Sequence, residues 1–137
     1  MIEDLFVRGW AVFVDPHVEI DRIGDYLREK YLGMFPHADL IECTENFRVE
    51  DADRIVEWHN DGKFGMNITF LYYLDQMSPE TGGSISLRNS DTKEQVQIYP
   101  QSHQLIVMSQ KPHVEHRAEA CNIQRHMFNV DFNVKGF

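Results

Sequence analysis

From Met66 onward the chain is a succession of short strand-like segments broken by turn formers. Met66 to Leu74 is apolar and rich in aromatic and β-branched residues, Gly82-Gly83 interrupts, and Ser84-Ile85-Ser86-Leu87 alternates polar with apolar at period two. Val96 to Ile98, Leu105 to Met108, Val114 to Ala120 and His126 to Val134 continue the series, separated by pieces such as Asn89-Ser90-Asp91 and Tyr99-Pro100-Gln101. Before them, Gly9 to Val14 reads as an opening strand. Asp15-Pro16 reads as a helix start, with Asp15 as cap and Pro16 in the first turn. Ile20, Ile23, Leu27 and Tyr31 then recur at helical spacing, so an amphipathic helix is predicted to run to about Leu32 and to end at Gly33. Phe35 to Glu57 is mixed and polar, with at most a short helix around Asp51 to Val56. The pattern is that of a mainly β protein, a double-sheet jelly roll or barrel with an N-terminal helix packed on it.

A chain of 137 residues suits one domain over 1–137, with a core that needs no metal or disulfide staple. Cys43 and Cys121 read as reduced packing thiols. The stretch Phe64 to Leu74 is free of charge for eleven residues, about half a membrane-spanning helix, so no membrane crossing is expected. The acidic N-terminus does not resemble a secretion signal, which makes the cytoplasm the expected compartment. The net charge of −9 disfavours nucleic acid and favours cationic or neutral substrates.

Seven histidines carry the chemical question: His17, His37, His59, His103, His113, His116 and His126. Two His-x-Asp triplets occur, His37-Ala38-Asp39 and His59-Asn60-Asp61, and a triplet alone is weak evidence. In an extended segment residues two apart share a face, so His59 and Asp61 can reach one metal, with a third ligand from a C-terminal strand. Two histidines and one carboxylate on one face of an octahedron suit non-haem Fe(II) and O₂ chemistry.

The ordered set His59-x-Asp61, Phe70-Leu71-Tyr72-Tyr73-Leu74, Gly82-Gly83, a late His116 and Arg125 resembles the iron(II)- and 2-oxoglutarate-dependent dioxygenase superfamily, nearest its compact prolyl-hydroxylase-like branch. The resemblance covers roughly residues 54 to 134, and His37-Ala38-Asp39 lacks the same followers. It implies a double-stranded β-helix with His59, Asp61 and His116 as catalytic iron ligands. Its cofactors would be Fe(II), 2-oxoglutarate as cosubstrate and O₂, with ascorbate as a stimulant. His113 and His116 both lie in the expected strand, and the nine residues from His116 to Arg125 favour His116. Arg125 would hold the distal carboxylate of 2-oxoglutarate through its guanidinium fork, assisted by Tyr73, with Asn129 lining the same pocket. Period-two alternation turns Thr69 and Leu71 inward with Tyr73, and Phe70, Tyr72 and Leu74 to the opposite face. An arginine in an apolar strand needs an anionic partner, and an Asp or Glu is the alternative to the cosubstrate. Asp131 shares the Arg125 face and is a candidate either for that pairing or for substrate contact. Pro36 to Val56 is the candidate cover of the site.

The implied activity is hydroxylation of an unactivated carbon in a small molecule, amino acid or peptidyl side chain, with release of succinate and CO₂. The carboxylate of Asp61 favours hydroxylation over halogenation, because it leaves no position for chloride. Two competitors use the same ligands: a non-catalytic jelly-roll metal or ligand-binding module, and a zinc-dependent hydrolase, which gives no reason for Tyr73 and Arg125. A monomer or homodimer is expected.

Overall fold

The computed structural model describes residues 2–33, 40–50, 54–62, 65–134 and 137. Its elements run α1 (Asp4–Val7), β1 (Trp10–Val14), a 3-10 turn (Ile20–Arg22), α2 (Ile23–Leu27) and a π turn (Arg28–Leu32). They continue with β2 (Leu40–Glu50), β3 (Val56–His59), β4 (Ile68–Tyr73), β5 (Ile85–Asn89), β6 (Gln95–Ile98), β7 (Gln104–Ser109), β8 (Val114–Ala118) and β9 (Arg125–Val134). The strands form a five-stranded sheet in the order β1-β7-β4-β9-β2 and a four-stranded sheet in the order β3-β8-β5-β6. All pairings are antiparallel. From β2 to β9 the chain changes sheet at every connection except the β5–β6 hairpin, which is the winding of a jelly roll. That hairpin turns where Asn89 Oδ1 accepts the backbone N–H groups of Asp91 and Thr92 at 2.9 and 3.1 Å.

β4 explains the layering. Leu71 and Tyr73 point between the sheets, where they pack with Trp10, Ile85, Leu87 and Met108. Ile68, Phe70 and Tyr72 point the other way and meet Ile23, Leu27 and Leu32 of the helical segment. Both faces of the strand are therefore buried, and each fully buried apolar side chain contributes about 1.5–3 kcal/mol. Among the described residues no helix is long and apolar enough to cross a membrane.

Three expectations change. No helix starts at Pro16. Asp15 closes β1 instead: its N–H donates to the His103 carbonyl and its own carbonyl accepts the Tyr72 hydroxyl at 3.0 Å. Its buried carboxylate accepts Tyr31 Oη at 2.7 Å, Tyr26 Oη at 2.8 Å, Lys30 Nζ at 2.9 Å and the His17 N–H at 2.9 Å. The chain must clear the sheet edge before it can wind, so helical structure starts at Ile20, which is exposed rather than in the core. The helical segment does end at Leu32, but Gly33 has φ −63°, so the stop does not rest on a left-handed cap.

The second change is β2, an eleven-residue strand where no confident element was predicted. Paired in register with β9, it turns Thr44, Asn46, Arg48 and Glu50 to the side of Asp131, Asn129, Met127 and Arg125. Phe47 and Val49 face solvent. A strand with its polar side inward gives no amphipathic signal of the usual sense. Val56 belongs to β3 rather than a helix, whereas Asp51 to Asp53 and the His37-Ala38-Asp39 triplet lie outside the described residues. The described part of the candidate cover is thus largely a wall of the barrel. Third, Cys121 is buried as expected, but Cys43 is exposed on β2, and both are free thiols.

Asp15 yields a stability prediction. Burial works against its charge, yet the bonds from Lys30, Tyr31, Tyr26 and His17 outweigh it and lower its pKa from 3.8 to about 2. A depressed carboxylate stabilises the fold fully above the unfolded pKa and loses that contribution as pH falls through the folded one. Asp15→Asn should cost about 2 kcal/mol in urea unfolding at pH 7. The gap from wild type should shrink between about pH 4 and pH 2.

Candidate active site

His59 is the last residue of β3, and Asp61 lies in the loop that follows. The loop is pinned. The Asp61 N–H donates to Gln110 Oε1 at 3.0 Å, and Asn60 Nδ2 donates to the carbonyls of Lys111 and Val114 at 2.8 and 2.7 Å. Gly62 passes so close to Gln110 that a Cβ there would sit 2.4 Å from its carbonyl oxygen. It is this loop, rather than a continued strand, that brings His59 and Asp61 onto one face.

His116 arrives from β8, directly opposite His59 in the strand register, with ring centroids 4.1 Å apart. His59 Nε2 is 3.6 Å from Asp61 Oδ1, and His116 Nε2 is 3.6 Å from Asp61 Oδ2. One ligand atom from each of the three residues lies within 4.8 Å of the others, a set that could hold a metal ion. His59 Nδ1 is 2.8 Å from the Glu57 carbonyl. A carbonyl only accepts, so Nδ1 carries a proton and Nε2 is the nitrogen turned toward the cluster. Burial, with the neighbouring His59, pushes the His116 pKa down to about 4 despite Asp61, leaving a neutral imidazole. Two imidazoles and a carboxylate fit a divalent transition metal. His113 stands apart on the turn before β8, with Nδ1 3.7 Å from Asp91 Oδ2.

A cavity of about 200 Å³ between the sheets runs from the His59, Asp61 and His116 cluster to Tyr73, Arg125 and Glu50. Arg125 opens β9 and is 3 % exposed. Its Nε and Nη2 donate to Glu50 Oε2, the former at 3.1 Å, and its Nη1 donates to the Gly83 carbonyl at 3.1 Å. Gly83 presents that carbonyl from a left-handed backbone, φ 81°, in a space where a Cβ would lie 2.7 Å from Met77 Sδ. Tyr73 is buried, and burial raises its pKa, so the phenol stays neutral. Asn129 lines the same cavity.

Asp131 does not pair with Arg125. Its carboxylate accepts Thr69 Oγ1 at 2.5 Å and Asn129 Nδ2 at 2.9 Å, and burial raises its pKa. It borders an adjoining cavity of about 330 Å³ with Thr44, Arg48 and Asn129. The anion on Arg125 is Glu50, whose other oxygen lies 3.4 Å from Arg48 Nη2 and 4.0 Å from Arg54 Nε. Sequence reasoning missed Glu50 and Arg48 because it missed β2. Three arginines line the cavity of a chain with net charge −9, so the local field differs from the overall one.

A jelly roll with a His-x-Asp…His cluster between its sheets defines a class of metal-dependent oxygenase folds. The family model of the 2OG-Fe(II) oxygenase superfamily matches residues 31–132, and the chain belongs to that superfamily. It is accordingly a non-haem iron oxygenase whose cofactors are Fe(II), 2-oxoglutarate and O₂. No curated protein sequence matches it significantly. Among solved structures it is similar to a Pseudomonas putida prolyl-4-hydroxylase, at TM-score 0.75 and 17% identity over 96% of this chain and 91% of that one. It is also similar to a Trichoplax adhaerens prolyl hydroxylase in complex with a hypoxia inducible factor oxygen degradation domain peptide fragment, at TM-score 0.63 and 17% identity over 91% and 63%. A Phytophthora capsici prolyl 4-hydroxylase gives TM-score 0.65 and 14% identity over 92% and 48%. The chain spans less than two thirds of the length of the last two.

Proposed function

We propose that this domain hydroxylates an unactivated carbon of an amino acid, a peptidyl side chain or another small polar molecule. His59, Asp61 and His116 would hold Fe(II), and Arg125, Tyr73 and Asn129 would line the 2-oxoglutarate site. The observation that carries the reading is a single cavity joining the three-ligand cluster to a buried arginine. When bound, the iron, 2-oxoglutarate and O₂ supply the conversion of a C–H to a C–OH coupled to formation of succinate and CO₂.

The chain's own residues supply placement. Glu57 orients His59, Gln110 orients Asp61, and burial keeps His116 neutral and ready to ligate. The adjoining cavity, with Thr44, Arg48, Asn129 and Asp131, offers both charges and several hydrogen-bonding groups, which suits a polar substrate. The Trichoplax neighbour was solved with a peptide, which supports a peptidyl side chain as one such substrate.

Anaerobic titration of metal-free protein with Fe(II), then 2-oxoglutarate, should develop the visible charge-transfer band of the chelate. Folded, iron-loaded protein without that band would overturn the reading. Hydrolysis with zinc and without O₂ would favour the hydrolase that shares these ligands.

A further inference from the structure

We propose that Glu50 is an internal competitor for the cosubstrate, its carboxylate holding Arg125 until 2-oxoglutarate displaces it toward Arg48 and Arg54. The inference rests on the oxygenase reading and adds to it a residue that sets cosubstrate affinity. Of the two Arg125 edges that can bind a carboxylate at two points, the one made by Nε and Nη2 is taken by Glu50 Oε2, and the other is partly engaged because Nη1 donates to the Gly83 carbonyl. An incoming distal carboxylate therefore meets one edge already taken by a competing carboxylate.

Glu50 has somewhere to go. Arg48 Nη2 and Arg54 Nε already lie 3.4 and 4.0 Å from its Oε1, so the carboxylate can exchange one cationic partner for others without crossing the cavity unpaired. These two arginines are 35 and 49 % exposed, against 4 % for the Arg125 side chain, which leaves them the freedom to follow. The exchange also explains why an acid stands in this site. A buried guanidinium without an anion is strongly destabilising, and Glu50 supplies that anion before the cosubstrate arrives. The consequence is a weakened apparent affinity, since only the fraction of molecules with the fork open can bind.

The test compares wild type, Glu50→Gln, the Arg48→Ala/Arg54→Ala double variant and the three substitutions combined, iron-loaded and anaerobic. 2-Oxoglutarate affinity is read from the charge-transfer band, and oxalate affinity from competition against it. Oxalate chelates the metal but carries no chain to reach Arg125. Glu50→Gln should bind 2-oxoglutarate roughly tenfold more tightly, with oxalate unchanged. The double arginine variant should weaken 2-oxoglutarate in wild type and not in the Glu50→Gln background, a non-additivity that a static ion pair does not produce. Unchanged or weaker 2-oxoglutarate binding by Glu50→Gln, or equal tightening for oxalate, would overturn the proposal. If Glu50→Gln fails to fold, the arginine variant decides: 2-oxoglutarate weakened with oxalate unchanged supports the exchange, and unchanged 2-oxoglutarate refutes it. Absence of the band in iron-loaded wild type would instead remove the oxygenase reading, and this proposal with it.

Discussion

His116→Ala should abolish the Fe(II)–2-oxoglutarate absorption band, whereas His113→Ala should leave it at wild-type intensity. Of the two imidazoles, that of His116 stands 3.6 Å from the Asp61 carboxylate and opposite His59, and that of His113 faces Asp91 across a surface turn. Removal of His116 leaves, of the three proposed ligands, His59 at the end of β3 and Asp61 in the loop after it. Turnover should fall at least as far as the 10–100-fold typical of losing a mere supporting group around a metal ligand. Apo-protein stability should change only modestly, because the ring that is lost borders the cavity rather than the apolar core. A band surviving in His116→Ala would transfer the third ligand elsewhere and break the proposed site.

Arg125→Ala is the second large effect, and it acts on both the fold and the cosubstrate. The substitution takes from buried Glu50 its principal cation, and because Arg48 and Arg54 still stand beside the carboxylate the cost should fall below the about 3–5 kcal/mol typical of an uncompensated buried charge. The variant should also lose 2-oxoglutarate while retaining Fe(II), as metal titration monitored by calorimetry would show. A companion separates the two consequences. Arg125→Ala/Glu50→Ala removes both members of the pair and should recover most of the stability, yet still fail to bind 2-oxoglutarate. Recovery of cosubstrate binding along with stability would mean that Arg125 serves only as the partner of Glu50.

The strands from β4 to β9 were legible because each carries its own local signal. Apolar runs, period-two alternation and turn formers such as Asn89 and Gly82-Gly83 depend on a few neighbouring residues. The face assignment of Leu71 and Tyr73 against Phe70 and Tyr72 followed from the pleat alone and matches the two separate cores. β2 was illegible for the converse reason: its inward residues are polar because they line a cavity, so the rule that apolar means inside fails there. Asp15 misled in a similar way. Asp-Pro is a good local helix start, but the carboxylate's four partners come from the segment His17 to Tyr31 folding back over it.

By itself the sequence determined the mainly β pattern of short strands, and its ordered motifs, through their resemblance to the dioxygenase superfamily, offered His59-x-Asp61 and Arg125 as candidates; strand pitch alone does not choose between the two His-x-Asp triplets. Which histidine meets Asp61, and which acid meets Arg125, only the tertiary structure decided. Glu50 and Arg125 are 75 residues apart, and their meeting depends on the register in which β2 lies against β9. A one-residue slip of that register would turn Glu50 to solvent and put its neighbour in its place, and no local pattern in either strand specifies it.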